Sequence, residues 1–257
     1  MAADEMPHPG AGCDEWIFAA WTPDASFGMV SGHRIIGSTA WYWFGLVQSG
    51  YPLLAITEWA VRLRSDPFIV KAPEMWAEHH CVAPLDQWTI GNEAHAVALD
   101  DPDDALGRCY GVVTPITTDL EWYANAPVVA LPPLDPSSSG RFLSEASNAP
   151  ADSKRGGFVP QGFVQDGVGH GVVELLDRAN IELTEVPARR WRRWTPPGAD
   201  LPPLPLEPVI AHTGLRSPVA FPDGSTCDWV LTSDGWRERP VRSVAGQRRL
   251  PSEPGRT

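Results

Sequence analysis

Residues 39–63 read TAWYWFGLVQSGYPLLAITEWAVRL, and this stretch decides between a membrane helix and a β-hairpin. Residues 35–57 contain no charged side chain and would match the ~20-residue length of a spanning helix. The turn-forming residues QSGYP at 48–52 interrupt the stretch, however. We therefore predict a strand over 39–47, a turn and a strand over 53–63, and no membrane span.

Alternation within this hairpin indicates which side chains share a face. The first strand is apolar on both faces, with Tyr42 and Phe44 on one face and Trp41 and Trp43 on the other. The return strand has the pattern of a half-buried strand. Its apolar face is expected to hold Leu53, Ala55, Thr57, Trp59, Val61 and Leu63, and its opposite face Glu58, Ala60, Arg62 and Arg64.

Proline, glycine and tryptophan dominate the composition. The chain of 257 residues holds 27 Pro and 23 Gly, a density that excludes long helices because proline removes a donor and clashes with the preceding turn. The 12 Trp equal the 4 Tyr and 8 Phe together. The 43% hydrophobic and 20% charged residues are typical of globular proteins and exclude wholesale disorder. We predict an all-β fold with few short helices, either an antiparallel barrel or two packed barrel-like halves.

Strand patterns and turn signals along the rest of the chain predict the domain organisation. Further strands are expected at 16–21, 87–99, 108–123, 169–176, 181–186, 189–194 and 227–231, and the first of these is apolar on both faces, as in a strand covered on two sides. A short helix is expected near 141–146 and an extended segment at 195–205. The predicted units are a flexible leader (1–12), an N-terminal β half (13–125), a Pro-, Ser- and Gly-rich connecting segment (126–160), a C-terminal β half (161–239) and a flexible tail (240–257).

The charge balance argues against a nucleic-acid partner. The chain has 20 basic and 32 acidic residues, a net charge of -12 and a pI near 4.9. The run RRWRRW at 189–194 is therefore expected to stack arginines on tryptophan and to pair them with local carboxylates. The glycines of 167–171 lack the spacing of a phosphate loop and are expected to permit a bulge or a close backbone approach.

Cysteine spacing and the N-terminus bear on the cellular compartment. The cysteines form no C-x-x-C pair, which argues against a zinc ribbon or a redox motif. The N-terminus has early acidic residues and no apolar segment of a secretory signal. We therefore expect free thiols and a cytoplasmic protein. The four cysteines are Cys13, Cys81, Cys109 and Cys227.

The strand ending at Tyr123 carries the first catalytic candidates. Alternation places Asp119, Glu121 and Tyr123 on one face and an apolar set with Thr118 on the other. Neighbouring same-face residues lie roughly 6.6 Å apart, so the two carboxyl groups can converge on one volume. Such proximity raises one pKa and favours a general acid. The alternative is a solvated polar face with nothing bound.

His79 is the third candidate, in the stretch Glu78-His79-His80-Cys81. On a strand, His79 and Cys81 share a face and Glu78 and His80 take the opposite one, so adjacent histidines cannot easily ligate one metal. We predict no metal site and no cofactor. His79 is interpreted either as a proton shuttle to a pocket carboxylate or as a hydrogen-bonded structural histidine.

The stretch Asp119-Leu120-Glu121-Trp122, with the aromatic-rich early strands and the region of Trp76 and Trp88, resembles the lipocalin-like family of carotenoid hydratases (hydroxyneurosporene synthase) and its relatives. In that family an Asp-x-Glu-Trp stretch closes the first of two barrel-like halves; this chain has Leu120 where the family pattern has His. The resemblance covers residues 14–123. It implies a calycin or lipocalin-like barrel that acts on or binds isoprenoid-like and other hydrophobic molecules.

Three functional hypotheses follow. The first is a cofactor-free hydratase or cyclase acting on an isoprenoid- or polyketide-like substrate, in which Asp119 donates a proton and Glu121 tunes its pKa. The second is a non-catalytic lipocalin-like binder of a lipid or steroid, and the third is a β domain whose tryptophans form only its core and which acts in a complex. Both pocket hypotheses place aromatic side chains around the ligand. The predicted lining residues are Trp16, Trp41, Trp43, Trp59, Trp76, Trp88, Trp122 and Tyr123.

Overall fold

The computed structural model describes residues 2–24, 26–48, 51, 53–99, 111–131, 161–176 and 178–197. It also describes the backbone of four later strands, at 216–220, 225–232, 235–238 and 242–243. The helix expected near 141–146, most of the extended segment at 195–205 and most of the tail fall outside these residues.

Antiparallel strands make up nearly all of the described chain, which confirms the all-β prediction. The helical element among the described residues is a short 3-10 turn at Ala2–Glu5. Within the described chain, no helix has the length and apolar character needed to cross a membrane. The main sheet contains β1 (Cys13–Trp21), β2 (Phe27–Ile36), β3 (Thr39–Gln48), β4 (Leu53–Arg62), β5 (Ile69–Ala72), β6 (Met75–Ala83), β7 (Gln87–Leu99), β8 (Val112–Ala124), β9 (Val129–Ala130), β10 (Gln161–Leu175) and β11 (Ile181–Thr195). A second sheet contains β12 (Arg216–Ala220), β13 (Ser225–Thr232), β14 (Gly235–Glu238) and β15 (Arg242–Ser243).

Eight strands of the main sheet close into a barrel. Their order around the ring is β1, β2, β3, β4, β7, β8, β10 and β11, and β11 pairs with β1. The ring closes between β4 and β7 where Leu53, Leu54 and Ala55 oppose residues 97–99. The β5–β6 hairpin continues the sheet along residues 87–94 of β7. Closure removes the unpaired edges that an open sheet of this size would expose.

The predicted hairpin is confirmed, and so is the strand over 87–99, which pairs with β8. β10 and β11, which belong to the predicted C-terminal β half, complete the ring that strands of the N-terminal half begin, so of the two predicted architectures the main sheet forms the single barrel. β11 runs unbroken through the two strands predicted at 181–186 and 189–194. The glycine-rich stretch carries the expected irregularity, since the β10–β11 register shifts between Gly169 and Gly171. A Cβ at Gly171 would lie 2.0 Å from the Asp119 carbonyl oxygen, which confirms the close backbone approach.

The barrel interior is filled by one apolar cluster to which every strand of the ring contributes. β1 is buried on both faces, as its pattern predicted: Trp16 and Phe18 lie in the cluster, and Ile17 and Ala19 on the outer face are also buried. Because the interior is crowded with rings, polar side chains that point into this cluster are largely removed from water.

β4 departs from the predicted alternation. Tyr42 opposes Glu58 and Ala40 opposes Val61, so β4 carries one extra residue between these pairs and forms a bulge. Leu54 therefore points into the core, where Ala55 was expected. Glu58 faces inward like Tyr42, its partner on β3. An uninterrupted alternation would have placed Glu58 on the outer face. Continuous counting of every second residue fails across a bulge because the extra residue reverses the faces.

Candidate functional site

The two carboxylates predicted for the pocket lie outside the barrel. Asp119 and Glu121 are exposed on the outer face of β8, while Leu120 and Trp122 beside them are buried in the core. The Tyr123 hydroxyl donates a hydrogen bond of 2.8 Å to a Glu121 oxygen on that same outer face. The alternation was therefore correct, but the prediction that these acids reach the interior is wrong, because a strand cannot turn both faces inward.

The predicted aromatic lining divides between the two faces of the barrel wall. Trp16, Trp88 and Trp122 lie inside, each fully buried. The other described members of the set are on the outer face, so their assignment to the interior is wrong; the Trp59 side chain lies outside the described part of the chain. Trp43 packs across Gly32, whose added Cβ would meet the indole at 1.9 Å. The outer-face members are Trp41, Trp43, Trp76 and Tyr123.

His79 lies in the barrel interior, 1% exposed. It shares its face with Cys81, which packs against the core, and His80 is exposed on the opposite face, as predicted. The described chain contains no cluster of three or more His, Cys, Asp or Glu side chains able to hold a metal ion. Cys13 and Cys81 are free thiols, and burial raises the pKa of Cys13 to about 12.

A set of polar side chains surrounds His79, and we call it the interior polar cluster. It comes from β2, β3, β6, β7 and β8, and each member is at most 2% exposed. On each of these strands the same-face positions that flank the cluster are apolar, and on β2 Ser31 and His33 are themselves same-face neighbours. The cluster consists of Ser31, His33, Tyr42, His79, Asn92 and Thr118.

Hydrogen bonds within the cluster converge on the Tyr42 hydroxyl oxygen. It accepts from Ser31 Oγ at 3.1 Å and from Asn92 Nδ2 at 3.0 Å. Ser31 Oγ also lies 2.8 Å from His79 Nε2. Since the one hydroxyl hydrogen of Ser31 is donated to Tyr42, His79 Nε2 is the donor of this second bond. His79 Nδ1 is then an acceptor.

Seven polar atoms in the described barrel interior are buried without a hydrogen-bond partner in the described chain. They belong to four members of the polar cluster, one of which is His79, and to the indoles of two tryptophans in the barrel wall. Buried polar groups are nearly always hydrogen-bonded in folded proteins, so several buried polar atoms without partners in one place are unusual. The atoms are His33 Nδ1 and Nε2, His79 Nδ1, Trp88 Nε1, Asn92 Oδ1, Thr118 Oγ1 and Trp122 Nε1.

Aromatic rings enclose this set. The Phe18 ring lies edge-on to His79, with centroids 5.2 Å apart, and Phe68 lies edge-on to Trp16 at 5.0 Å. The rings of His33 and His79 contact each other at 5.8 Å. A few polar groups are thus set among aromatic side chains, a combination of residue types that is also usual in small-molecule sites.

Both interior histidines are neutral at physiological pH. Burial lowers the pKa of His33 to about 3, with a smaller contribution from the positive charge of Arg192. Burial also holds the pKa of His79 well below its ordinary value, and His33 adds to this. Burial likewise raises the pKa of Tyr42 to about 12, so the cluster itself carries no charge.

One end of the barrel is closed by residues 2–12, which we had expected to form a flexible leader. That expectation is wrong, because Glu5 is fully buried and both of its carboxylate oxygens accept hydrogen bonds from Arg190, at 2.7 and 2.6 Å. Trp16 Nε1 donates to the Glu5 carbonyl oxygen at 3.0 Å. The Arg190 guanidinium lies over Trp122, 4.8 Å from the ring centroid. The predicted stacking of β11 arginines on tryptophan and their pairing with carboxylates are confirmed.

Comparison with protein-family models, with curated proteins and with solved structures finds no match to this chain.

Proposed function

We propose that this barrel binds a small, largely apolar molecule in its interior and that the interior polar cluster hydrogen-bonds the polar part of that molecule. The observation that supports the proposal most strongly is the group of seven buried polar atoms without partners, set among aromatic walls. This is the second of the three hypotheses raised by the sequence.

The free energy involved favours an occupant that hydrogen-bonds these atoms. Each buried polar group left without a partner costs about 1–3 kcal/mol. For seven such atoms the penalty is comparable to the whole free energy of unfolding of a typical domain, about 5–15 kcal/mol. A ligand that satisfies several of them removes much of this penalty. The alternative occupant is ordered water, which satisfies buried polar groups in the same way.

Acid catalysis through Asp119 and Glu121 is not part of this proposal. Both carboxylates are exposed on the outer face of β8 and are separated from the interior by the barrel wall. The resemblance to the carotenoid hydratases is therefore relevant to this proposal only through the hydrophobic class of molecule that it implies.

The test combines two measurements on the full chain. Native mass spectrometry of the protein as purified is expected to show a co-purifying adduct. Titration with N-phenyl-1-naphthylamine, an uncharged fluorescent probe, is expected to give saturable emission at one site per chain. A protein without an adduct and without saturable probe emission contradicts the proposal and supports the third hypothesis, a barrel that contains only its own core.

A matched pair of variants locates the probe. Ala77 lies in the core directly opposite Asn92, so Ala77→Leu fills volume next to the polar cluster and is expected to weaken probe binding at least tenfold. Ala130→Leu makes the same change on an exposed strand and should leave binding unaltered. If Ala77→Leu impairs folding, Ala77→Val tests the same point with a smaller side chain. Equal affinities in all the variants would place the probe outside the barrel.

A further inference from the structure

The unpartnered polar atoms of the described barrel interior, in the polar cluster and in the two wall indoles, include both acceptors and donors. His79 Nδ1 and Asn92 Oδ1 are acceptors, and the indole nitrogens of Trp88 and Trp122 are donors. Thr118 Oγ1 serves as either. A hydroxyl group both donates and accepts, whereas an ionised carboxylate has no hydrogen to give and an ammonium has no lone pair to offer.

We propose that the ligand is an uncharged molecule that presents a hydroxyl group to the interior polar cluster, and that carboxylate and ammonium analogues of the same skeleton are rejected. This inference rests on the proposed function and adds the chemical class of the ligand. It is supported by the ion pairs of the barrel interior, in which each arginine is already matched by a carboxylate of this chain.

Both cations at the closed end are already paired with carboxylates of this chain, Arg190 with Glu5 and Arg192 with Asp14. Arg190 bonds both Glu5 oxygens and also donates from Nε to Gln165 Oε1 at 3.0 Å. Arg192 donates to Asp14 Oδ1 at 2.5 Å and to the carbonyl oxygens of Asp4 and Met6. An anion in the interior would therefore be buried without a counter-ion, which is strongly unfavourable.

A ligand cation is disfavoured for a related reason. Tryptophan faces are the preferred binding surfaces for buried cations. Here the Arg192 guanidinium lies 4.0 Å from the Trp16 ring centroid, and Arg190 lies over Trp122 and Trp88. A second cation on these rings would meet like charge.

Glu58 acts in opposite directions on the two ions. It opposes Tyr42 on the inward face of the β4 bulge and is half-buried, and burial raises the pKa of its carboxyl group. In its ionised form it repels a ligand carboxylate but attracts a ligand ammonium, so the ammonium analogue is the stricter test of the proposal.

The experiment uses three naphthalenes that differ only in one substituent. Displacement of N-phenyl-1-naphthylamine is measured at pH 7.5 with 2-naphthalenemethanol, 2-naphthoate and 2-naphthylmethylammonium. The alcohol is expected to displace the probe, and each ion to bind at least about tenfold more weakly. Displacement by either ion as strong as by the alcohol, or no displacement by the alcohol, overturns this inference while saturable probe binding leaves the proposed function intact. Absence of saturable probe binding overturns both.

A variant pair tests whether the cluster itself recognises the hydroxyl group. Asn92→Leu removes an interior acceptor and should lower the affinity for 2-naphthalenemethanol roughly three- to tenfold. The affinity for 2-methylnaphthalene, which has no hydroxyl group, should stay unchanged. Asn125→Leu on the exposed surface should change neither. Equal weakening of the alcohol and the hydrocarbon by Asn92→Leu contradicts the inference, because it indicates a change of shape alone. The wild-type series still decides the question if Asn92→Leu does not fold.

Discussion

Ser31 Oγ lies 2.8 Å from His79 Nε2 in the barrel interior, although the two residues are 48 positions apart in the chain. The bond connects β2 to β6, which are not neighbours in the sheet. Ser31 Oγ also donates a hydrogen bond to the Tyr42 hydroxyl of β3, and Asn92 Nδ2 of β7 donates to the same oxygen. A polar network thus spans an interior that is lined mainly by apolar side chains.

Ser31→Ala should destabilise the barrel by about 1–3 kcal/mol, because it leaves His79 Nε2 without a partner and removes one donor from Tyr42. The loss is measured as a lower midpoint of urea unfolding with an unchanged slope. Ser38→Ala, in the exposed turn between β2 and β3, is the matched control and should stay within about 0.5 kcal/mol of the wild type. Equal stability of the two variants would mean that the network contributes nothing.

The free energy of unfolding should decrease as the pH is lowered below about 6.5, the ordinary pKa of histidine in an unfolded chain. The pKa of folded His33 is about 3 and that of His79 is also lowered, so between these limits the unfolded state binds protons that the folded state does not. The stabilisation is complete above pH 6.5 and is lost progressively as the pH falls. Each histidine contributes at most about 1.4 kcal/mol per pH unit.

Urea unfolding at pH 7.5, 6.0 and 5.0 measures this dependence. Replacing both interior histidines by Phe should reduce the pH dependence of the free energy of unfolding between pH 6.5 and 5. His80→Gln, on the exposed face, should leave this dependence as it is in the wild type. An unchanged slope in the double variant would assign the acid sensitivity to other groups.

His33→Phe should leave stability at pH 7.5 unchanged or raise it slightly. Both ring nitrogens of His33 are buried without partners in the described chain, and the ring packs against Trp16 and Phe68. Replacing an unsatisfied polar ring by an apolar one of similar shape removes a desolvation penalty. The same variant should bind 2-naphthalenemethanol more weakly if His33 contacts the ligand. A loss of more than about 2 kcal/mol would show instead that His33 is satisfied in the folded protein.

The sequence pattern of β8 separates the two faces of the strand and also carries a sign of the interior polar cluster. Alternation correctly separated Asp119 and Glu121 from Leu120 and Trp122. The error lay in assigning the polar face to the interior, where the large apolar side chains must go. Thr118, a polar residue on the apolar face, was the local signal of the interior polar cluster.

Two further members of the cluster, both on β2, had no local signal. Ser31 and His33 lie on β2, where three polar or charged residues and two glycines obscure the period of two. Their partner His79 is brought to them only by closure of the ring and by the placement of the β5–β6 hairpin on β7. Such a contact depends on the register of several strands together, which no single stretch of sequence encodes.

Glu5 shows the same limit at larger separation, because its partner Arg190 is 185 positions away. Glu5→Ala should destabilise the protein by about 3–5 kcal/mol, since it leaves a buried guanidinium unpaired and removes the acceptor of the Leu85 amide. Urea unfolding measures the loss, and Glu74→Ala, at an exposed position, is the control. Adding Arg190→Met to Glu5→Ala should recover part of the loss, because the second change removes the unpaired charge. If Glu5→Ala has no more effect than Glu74→Ala, residues 2–12 do not close the barrel in solution.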